Sequence, residues 1–198
     1  MNMNKKVPFL YKFGKFLFTP IFRFYYNPKI IGKENIPLEG SILIVGNHKH
    51  VFDQFPTIIS TKRGIHYMAK KEYFDKPFSR WIFTGIGCIP VNREIKDNDA
   101  VEAALSVLKD DGAIGLFPEG TRNKTDKFLL PFKFGAVSMA KKTSATIVPF
   151  GITGDYKFRS KNLTIRYGKP FKIDGMNLKE ANKKLYNEIE SLMKENLR

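Results

Sequence analysis

The chain has 198 residues, of which 42 % are hydrophobic and 27 % are charged, so it can form one domain with a proper core and intrinsic disorder is excluded as the default state. The formal net charge of +15 and the pI near 9.8 predict an anionic partner, which is nucleic acid, an anionic membrane, or an acidic substrate or carrier protein. The single cysteine, Cys88, excludes an internal disulfide framework and suits a reducing compartment. With three histidines and no CxxC or HExxH motif, no metal site is expected.

No apolar stretch of the sequence approaches the roughly 20 residues that a transmembrane helix requires. No uninterrupted apolar segment with a small-residue cleavage site follows the first residues, so no secretory signal is expected. We therefore expect a protein that does not cross a membrane but that is able to lie on the surface of one.

The N-terminal segment combines lysines with many aromatic side chains and contains no acidic residue. On a helix, Phe9, Phe13 and Phe16 share one face, and Pro20 predicts a break before a second short helix. Basic, aromatic, amphipathic segments of this kind bury their apolar face at the lipid headgroup boundary. We predict an amphipathic two-helix membrane-docking motif over residues 1–28; the alternative is that these aromatic side chains simply cap the core.

After this segment, short apolar runs alternate with segments of helical periodicity. The alternation predicts a single α/β domain over residues 29–198, in which a mostly parallel, mixed sheet is flanked by helices on both faces. The predicted strands are residues 30–31, 41–45, 65–69, 88–91, 113–117, 146–150 and 163–167. The predicted helices are residues 54–60, 72–85 with an interruption at Pro77, 98–109, 133–142, and a closing helix from residue 178.

An apolar run of strand length ends at Gly46 and is followed by His48 and Asp53, five positions apart. A single helix would place residues five apart on different sides of its axis, so a turn is the arrangement that brings them together. A carboxylate that holds and polarises an imidazole forms a general base, which removes a proton from a hydroxyl group. The alternatives are an ordinary loop histidine and an aspartate that only caps the following helix.

Ligands of open α/β sheets bind beyond the carboxyl ends of the strands, so the residues that follow the predicted strands form one candidate site. If the strands are mainly parallel, a His–Asp pair and several cations meet at one edge, as expected of an enzyme that acts on a phosphorylated hydroxyl compound. Taken singly, these residues also suit solvated lysines, a local Glu–Arg ion pair and a turn glycine. Beside His48 and Asp53, the candidates are Asn47, Lys70, Lys71, Asn92, Arg93, Glu119, Gly120, Thr121 and Arg122.

Five short motifs follow one another along the chain: Asn47-His48-x4-Asp53, Ala69-Lys70-Lys71-Glu72, Gly87-Cys88-Ile89-Pro90-Val91-Asn92-Arg93, Phe117-Pro118-Glu119-Gly120-Thr121-Arg122 and Val148-Pro149-Phe150-Gly151. In order and spacing they resemble the glycerolipid acyltransferases, and most closely the bacterial 1-acylglycerol-3-phosphate acyltransferases. The resemblance covers roughly residues 30–170, and the N-terminal segment is similar to the two-helix docking motif of this family. His50 departs from the pattern, because a small polar residue is common at that position.

The resemblance implies that His48 takes the proton from the free 2-hydroxyl of a lysophosphatidate acceptor, while Asp53 holds the imidazole and stabilises its charged form. The resulting oxygen attacks the thioester of an acyl-CoA or acyl-carrier protein directly and gives phosphatidate, an intermediate of phospholipid biosynthesis. No covalent enzyme intermediate, cofactor or metal is expected. Cys88 lies within a predicted strand and is interpreted as a core residue.

The resemblance also implies a set of residues that bind the glycerol phosphate of the acceptor. These are Lys70, Arg93 and the motif around Arg122, which suits a bidentate contact with phosphate. Gly120 and Thr121 belong to the same motif, and Glu119 is expected to position Arg122 or the substrate. Because acceptor and product are lipids, the implied location is the cytoplasmic face of the cell membrane, with the protein peripheral on an anionic surface.

Three alternatives remain open from the sequence. The acceptor is another lysophospholipid, the protein is a lipid-binding relative without catalysis, or it is a basic nucleic-acid-binding module, as the charge of +15 and the aromatic residues allow. The intact His48–Asp53 pair argues against the second, and no nucleic acid is expected because the aromatic residues concentrate at the N-terminus. A hydrophobic tunnel for the acyl chain, lined by Trp81, Phe83 or Phe132, is a further hypothesis; the alternative is that these are ordinary core residues.

Overall fold

The computed structural model describes residues 8–92, 94–95 and 97–198 of the chain. Strands and helices alternate through these residues, as the sequence predicts. In chain order the elements are α1 (Phe9–Tyr26), β1 (Lys29–Ile31), β2 (Ile42–Gly46), α2 (Gln54–Ser60), β3 (Ile65–Lys70), α3 (Pro77–Gly85), β4 (Ile89–Val91), α4 (Asn98–Lys109), β5 (Ala113–Leu116), α5 (Gly135–Thr143), β6 (Thr146–Thr153), β7 (Thr164–Tyr167) and α6 (Leu178–Asn196). Short 3₁₀ helices occupy Lys33–Asn35 and Lys71–Phe74.

The strands of the described residues form one seven-stranded sheet in the order β1-β7-β6-β2-β5-β3-β4. The neighbouring strands are parallel, except for β6 and β7, which are antiparallel. This confirms the predicted mostly parallel, mixed sheet. All five residues of β2 are buried, as expected for a central strand of a parallel sheet that is covered on both faces.

Alternate residues of β2 belong to two different hydrophobic cores, because successive side chains of a strand point to opposite faces of the sheet. Leu43 and Val45 share a core with buried side chains of α4, α5 and α6. Ile42 and Ile44 share the other core with Phe22 of α1 and with partly buried side chains of α2. The helices therefore cover both faces of the sheet, as predicted.

The N-terminal segment differs from its prediction, because α1 is one continuous helix of 18 residues that contains Pro20. Contacts before and after the proline hold the helix on the domain: the Tyr11 hydroxyl accepts the Ile65 N–H at 3.2 Å, and Phe22 is buried in the core. Asn27 ends the helix in the left-handed conformation with φ of 43°. Among the described residues, no helix combines the length and the apolar character needed to cross a bilayer.

The strand β6 extends to Thr153, three residues beyond its predicted end at Phe150. The physical reason is a partner strand that the local sequence does not reveal, since β7 pairs with residues Phe150 to Thr153 of β6. Phe150 and Gly151 are therefore buried residues within the sheet.

Candidate active site

The carboxyl ends of β2 and β5 form the centre of the site, because the two strands are parallel neighbours with Val45 opposite Leu116. The chain leaves the sheet after each strand, and the two loops are joined at His48. The His48 N–H donates a 2.7 Å hydrogen bond to Glu119 Oε1, and the His48 carbonyl accepts one of 2.7 Å from the Asn123 N–H. The predicted convergence of these two motifs at one edge of the sheet is therefore observed.

His48 and Asp53 form the pair that the sequence predicts, with imidazole Nδ1 at 2.8 Å from carboxylate Oδ2. The Asp53 side chain is fully buried, whereas His48 keeps 14 % of its side chain exposed. Asp53 directly precedes α2, but its carboxylate makes no capping hydrogen bond to that helix, so the alternative role as a helix cap is not observed. Because Nδ1 is engaged, Nε2 is the nitrogen left to accept a proton from a substrate hydroxyl.

Hydrogen-bond donors enclose the Asp53 carboxylate on both oxygens. Oδ2 also accepts the backbone N–H groups of Lys49 at 2.6 Å and His50 at 2.7 Å, and Oδ1 accepts the Tyr156 hydroxyl at 2.7 Å. A buried carboxylate requires such partners to remain charged. Sequence analysis missed Tyr156, because it lies 103 residues from Asp53 and no local motif marks it.

Glu119 holds the backbone of the site. It is only 4 % exposed; Oε1 accepts the His48 N–H, and Oε2 accepts the Leu130 N–H at 2.9 Å. Burial raises the pKa of the Glu119 carboxyl, while the two backbone hydrogen bonds act in the opposite direction. Through these two hydrogen bonds the Glu119 carboxylate ties two loops together beside the imidazole. The expectation that Glu119 positions Arg122 or the substrate stays a prediction.

The sequence did not reveal the roles of two further residues near His48, Phe117 and Asn47. The Phe117 ring stacks on the His48 imidazole, with ring centroids 4.1 Å apart and an interplanar angle of 14°. The Asn47 side chain is buried and bridges to β6, because it donates to the Ile152 carbonyl at 2.9 Å and accepts the Ile152 N–H at 2.7 Å. One face of the imidazole is therefore covered by the Phe117 ring, and the start of its loop is fixed by hydrogen bonds to β6.

The predicted phosphate-binding cations lie at the outer part of the site. Lys70, Thr121 and Arg122 are exposed and border the same cavity as His48. Lys70 Nζ lies 3.2 Å from Glu72 Oε1, in an exposed pair of the kind that contributes little to stability. Arg93 lies outside the described residues. The structure therefore brings Lys70 and Arg122 to the rim of the cavity that His48 also borders.

Gly120 has a conformational role in the same motif. Its φ of 71° lies in the left-handed region, and its N–H donates to the Phe117 carbonyl at 3.0 Å, which closes a tight turn. A Cβ atom at this position would lie 2.8 Å from Cε of Lys133. The left-handed backbone of the turn therefore favours glycine, in agreement with the simpler interpretation of this residue.

A largely apolar cavity of about 710 Å³ opens beside His48, between the sheet and the helices α1, α2 and α3. Of the three aromatic residues considered for a tunnel, Phe83 lines this cavity, Trp81 borders a separate depression, and Phe132 packs on Tyr186. Further apolar residues of the wall are Phe18, Phe22, Phe55, Ile58, Ile59, Met68, Ile82 and Ile86.

Cys88 also lines the cavity, but its environment does not favour nucleophilic attack. Burial raises the pKa of the Cys88 thiol to about 11, so the group is protonated at neutral pH. Within the described ranges, no group of three or more His, Cys, Asp or Glu side chains is arranged to hold a metal ion.

Comparison with known proteins identifies the family. The acyltransferase family model matches residues 27–153, and the chain belongs to this family. A 1-acyl-sn-glycerol-3-phosphate acyltransferase of Borreliella burgdorferi is 33 % identical over 141 residues, which are 70 % of this chain and 56 % of that protein. The protein of the same name from Bacillus subtilis is 30 % identical over 151 residues, which are 72 % of each chain.

A solved structure supports the same assignment. The crystal structure of the 1-acyl-sn-glycerophosphate (LPA) acyltransferase PlsC from Thermotoga maritima superposes with a TM-score of 0.74 and 25 % sequence identity. The superposition covers 94 % of this chain and 77 % of that chain. The likeness therefore extends over almost the whole of the present fold.

The role of Glu119 leads to a prediction about stability. Glu119→Gln replaces one acceptor oxygen by an NH₂ group, so one of the two buried N–H groups loses its acceptor. We expect the free energy of unfolding to fall by about 1–3 kcal/mol, measured by urea denaturation followed by circular dichroism. The control Glu34→Gln changes an exposed side chain and is expected to leave the unfolding midpoint unchanged. Equal midpoints for Glu119→Gln and wild type would contradict the proposed role.

Proposed function

We propose that the protein transfers an acyl group from a thioester donor, acyl-CoA or acyl-carrier protein, to the 2-hydroxyl of 1-acylglycerol-3-phosphate, giving phosphatidate for phospholipid biosynthesis. The observation that carries the proposal is the His48 imidazole, held at 2.8 Å by the buried Asp53 carboxylate, in the wall of an apolar cavity of about 710 Å³. The proposed base for the acceptor hydroxyl thus lies next to a cavity that has space for a hydrocarbon chain. The names of the relatives point to the particular acceptor.

The proposed reaction is a direct transfer. Nε2 of His48 accepts the proton of the 2-hydroxyl as the oxygen attacks the carbonyl carbon of the thioester. The new C–O bond forms, the C–S bond of the tetrahedral intermediate breaks, and the imidazolium returns the proton to the departing thiolate. Asp53 keeps the imidazole in one tautomer and stabilises its positive charge. The protonated thiol of Cys88 accords with a mechanism that has no acyl-enzyme.

Lys70, Arg93 and Arg122 are proposed to bind the phosphate of the acceptor. Support for two of them comes from their place at the rim of the cavity, on the same side as His48. A guanidinium group binds two phosphate oxygens at once, so Arg122 contributes orientation as well as charge. Arg93 is assigned by its motif alone, and Thr121 is placed beside Arg122 at the rim.

We further propose that α1 docks the protein on the cytoplasmic face of the cell membrane, as a peripheral protein. Its docking face consists of Phe9, Phe13 and Phe16, which are 81 %, 51 % and 81 % exposed. Tyr11 and Phe22 of the same helix are buried against the domain, so the helix has two apolar sides with different partners. The first 33 residues lack acidic side chains, which suits an anionic lipid surface.

The proposed roles of His48 and Arg122 are tested by acyl transfer to lysophosphatidate, measured with purified protein in liposomes. His48→Ala should lower kcat by at least about 10³-fold, because the general base is lost. Arg122→Ala should mainly raise the KM for lysophosphatidate, by about tenfold or more, because a phosphate contact is lost. The control Arg198→Ala removes an exposed guanidinium at the C-terminus and is expected to leave both constants unchanged.

The possible outcomes separate the parts of the proposal. If wild type acylates another lysophospholipid and not lysophosphatidate, the chemistry stands and the acceptor is wrong. If His48→Ala is as active as wild type, the mechanism is wrong at its centre. If the KM of Arg122→Ala equals that of wild type, Arg122 has no part in acceptor binding.

The cavity leads to a prediction about chain length. Phe83→Trp narrows the cavity and should lower kcat/KM for long acyl donors relative to short ones, whereas Phe83→Ala should shift the preference toward longer chains. The measurement is the ratio of kcat/KM across a series of acyl donors. Trp81→Leu, outside this cavity, is the control and should keep the wild-type ratio. An unchanged ratio in both Phe83 variants would show that the acyl chain does not occupy this part of the cavity.

The docking face leads to a prediction about membrane binding. Phe9→Ser/Phe16→Ser should reduce binding to anionic vesicles by at least about tenfold, because two aromatic side chains no longer enter the lipid. Sedimentation with vesicles of anionic and of neutral lipid measures the effect. The control Leu38→Ser removes an apolar side chain that is 68 % exposed outside α1, and it should bind as wild type does. Full binding of the double variant would exclude this face as the docking surface.

A further inference from the structure

The Asp53 carboxylate has a partner that the His–Asp motif does not include. Oδ2 accepts three hydrogen bonds from groups within five residues of Asp53, whereas Oδ1 accepts the Tyr156 hydroxyl at 2.7 Å. Tyr156 lies in the loop that follows β6, whereas Asp53 lies in the loop that follows β2. The orientation of the carboxylate therefore depends on two separate parts of the chain.

The surroundings of Tyr156 hold its ring in place. The ring stacks on the His50 imidazole, with centroids 4.4 Å apart and an interplanar angle of 18°. On its other sides it contacts two rings of α1, with centroid distances of 6.5 Å to Phe22 and 5.6 Å to Tyr26. It also contacts Phe52, in the loop between β2 and α2, at 6.2 Å. A phenol that is fixed on several sides presents its hydroxyl in one direction, here toward Asp53.

The hydroxyl acts as the donor in this contact. Burial, together with the neighbouring Asp53 carboxylate, raises the pKa of Tyr156, so the phenol keeps its proton at every physiological pH. A neutral phenol adds no second negative charge next to Asp53. The contact therefore partly compensates the buried charge of Asp53 without adding another charge beside it.

The same contacts explain His50, the departure from the motif pattern. Its backbone N–H donates to Asp53 Oδ2 at 2.7 Å, and its ring supports the ring of Tyr156. An aromatic side chain at position 50 thus accompanies an aromatic donor at position 156. The His50 residue therefore helps to hold Asp53, directly through its backbone N–H and indirectly through the ring of Tyr156.

We propose that Tyr156 is a positioning residue for the His48–Asp53 pair, acting through the second carboxylate oxygen of Asp53. This inference rests on the proposed general-base role of His48. The hydroxyl fixes the rotation of the carboxylate and withdraws part of its charge. The loop after β6 is thereby part of the catalytic apparatus, and the ring contacts connect that loop to α1.

Loss of the Tyr156 hydroxyl should change the titration of the His48 imidazole in one direction. Without Tyr156 as donor, more negative charge remains on Asp53, and the proton of the charged His48 imidazole is held more strongly. The titration midpoint of the imidazole then moves to higher pH, and the acidic limb of the kcat profile moves with it. A tyrosine that served only packing would affect the unfolding midpoint without moving this titration.

Tyr156→Phe tests the inference, because it removes one oxygen and keeps the ring. We expect kcat for lysophosphatidate to fall by about tenfold, with KM changed by less than about twofold. We also expect the titration midpoint of His48 to rise by about half a pH unit or more, measured by NMR of histidine-labelled full-length protein in detergent micelles. The His48 signal is assigned from its absence in His48→Ala.

The matched control is Tyr186→Phe, which removes a hydroxyl from a side chain that packs on Phe132, on the opposite face of the sheet. It should leave kcat and the His48 titration as in wild type. An unchanged titration midpoint, or an unchanged kcat, in Tyr156→Phe would overturn the inference. The NMR titration needs no substrate, so it separates this failure from an inactive wild type, which would overturn the proposed function instead.

Discussion

The structure of the site depends on one buried charge, the Asp53 carboxylate. A desolvated carboxylate is unstable unless donors surround it, and the loop after β2 supplies three of them from its own backbone and from His48. The same hydrogen bonds that make the charge tolerable also determine the turn of the loop and the tautomer of the imidazole. One set of hydrogen bonds therefore both shapes the loop and orients the imidazole.

A second carboxylate, Glu119, extends this arrangement to the neighbouring strand. Because β2 and β5 are parallel and in register, the loops that follow them begin side by side, and Glu119 binds the backbone of one loop while it belongs to the other. Each carboxylate thus satisfies backbone N–H groups that the irregular chain leaves without partners. Two neighbouring strands of the sheet thus hold the site together.

The sequence by itself determined the class of fold and indicated His48 as the candidate base. Apolar runs of strand length alternate with helical periodicity, and this pattern is local, so it can be recognised without knowledge of distant contacts. The positions of His48 and Asp53 on either side of a turn follow from the strand and helix that flank them. Four motif residues after the strands also came to one edge, since parallel strands all end there: Lys70, Glu119, Thr121 and Arg122.

Only the tertiary structure decided how this site is supported. The continuous α1, the extension of β6, the partners of Glu119 and the hydrogen bond from Tyr156 all depend on residues far apart in the chain. Local sequence predicted a break at Pro20, but contacts with the domain on both sides of the proline outweigh one missing hydrogen bond. Local patterns record which groups can react and which segments are helix or strand. Long-range packing selects the partners of each buried polar group, because compensation of a buried charge is a property of the whole fold.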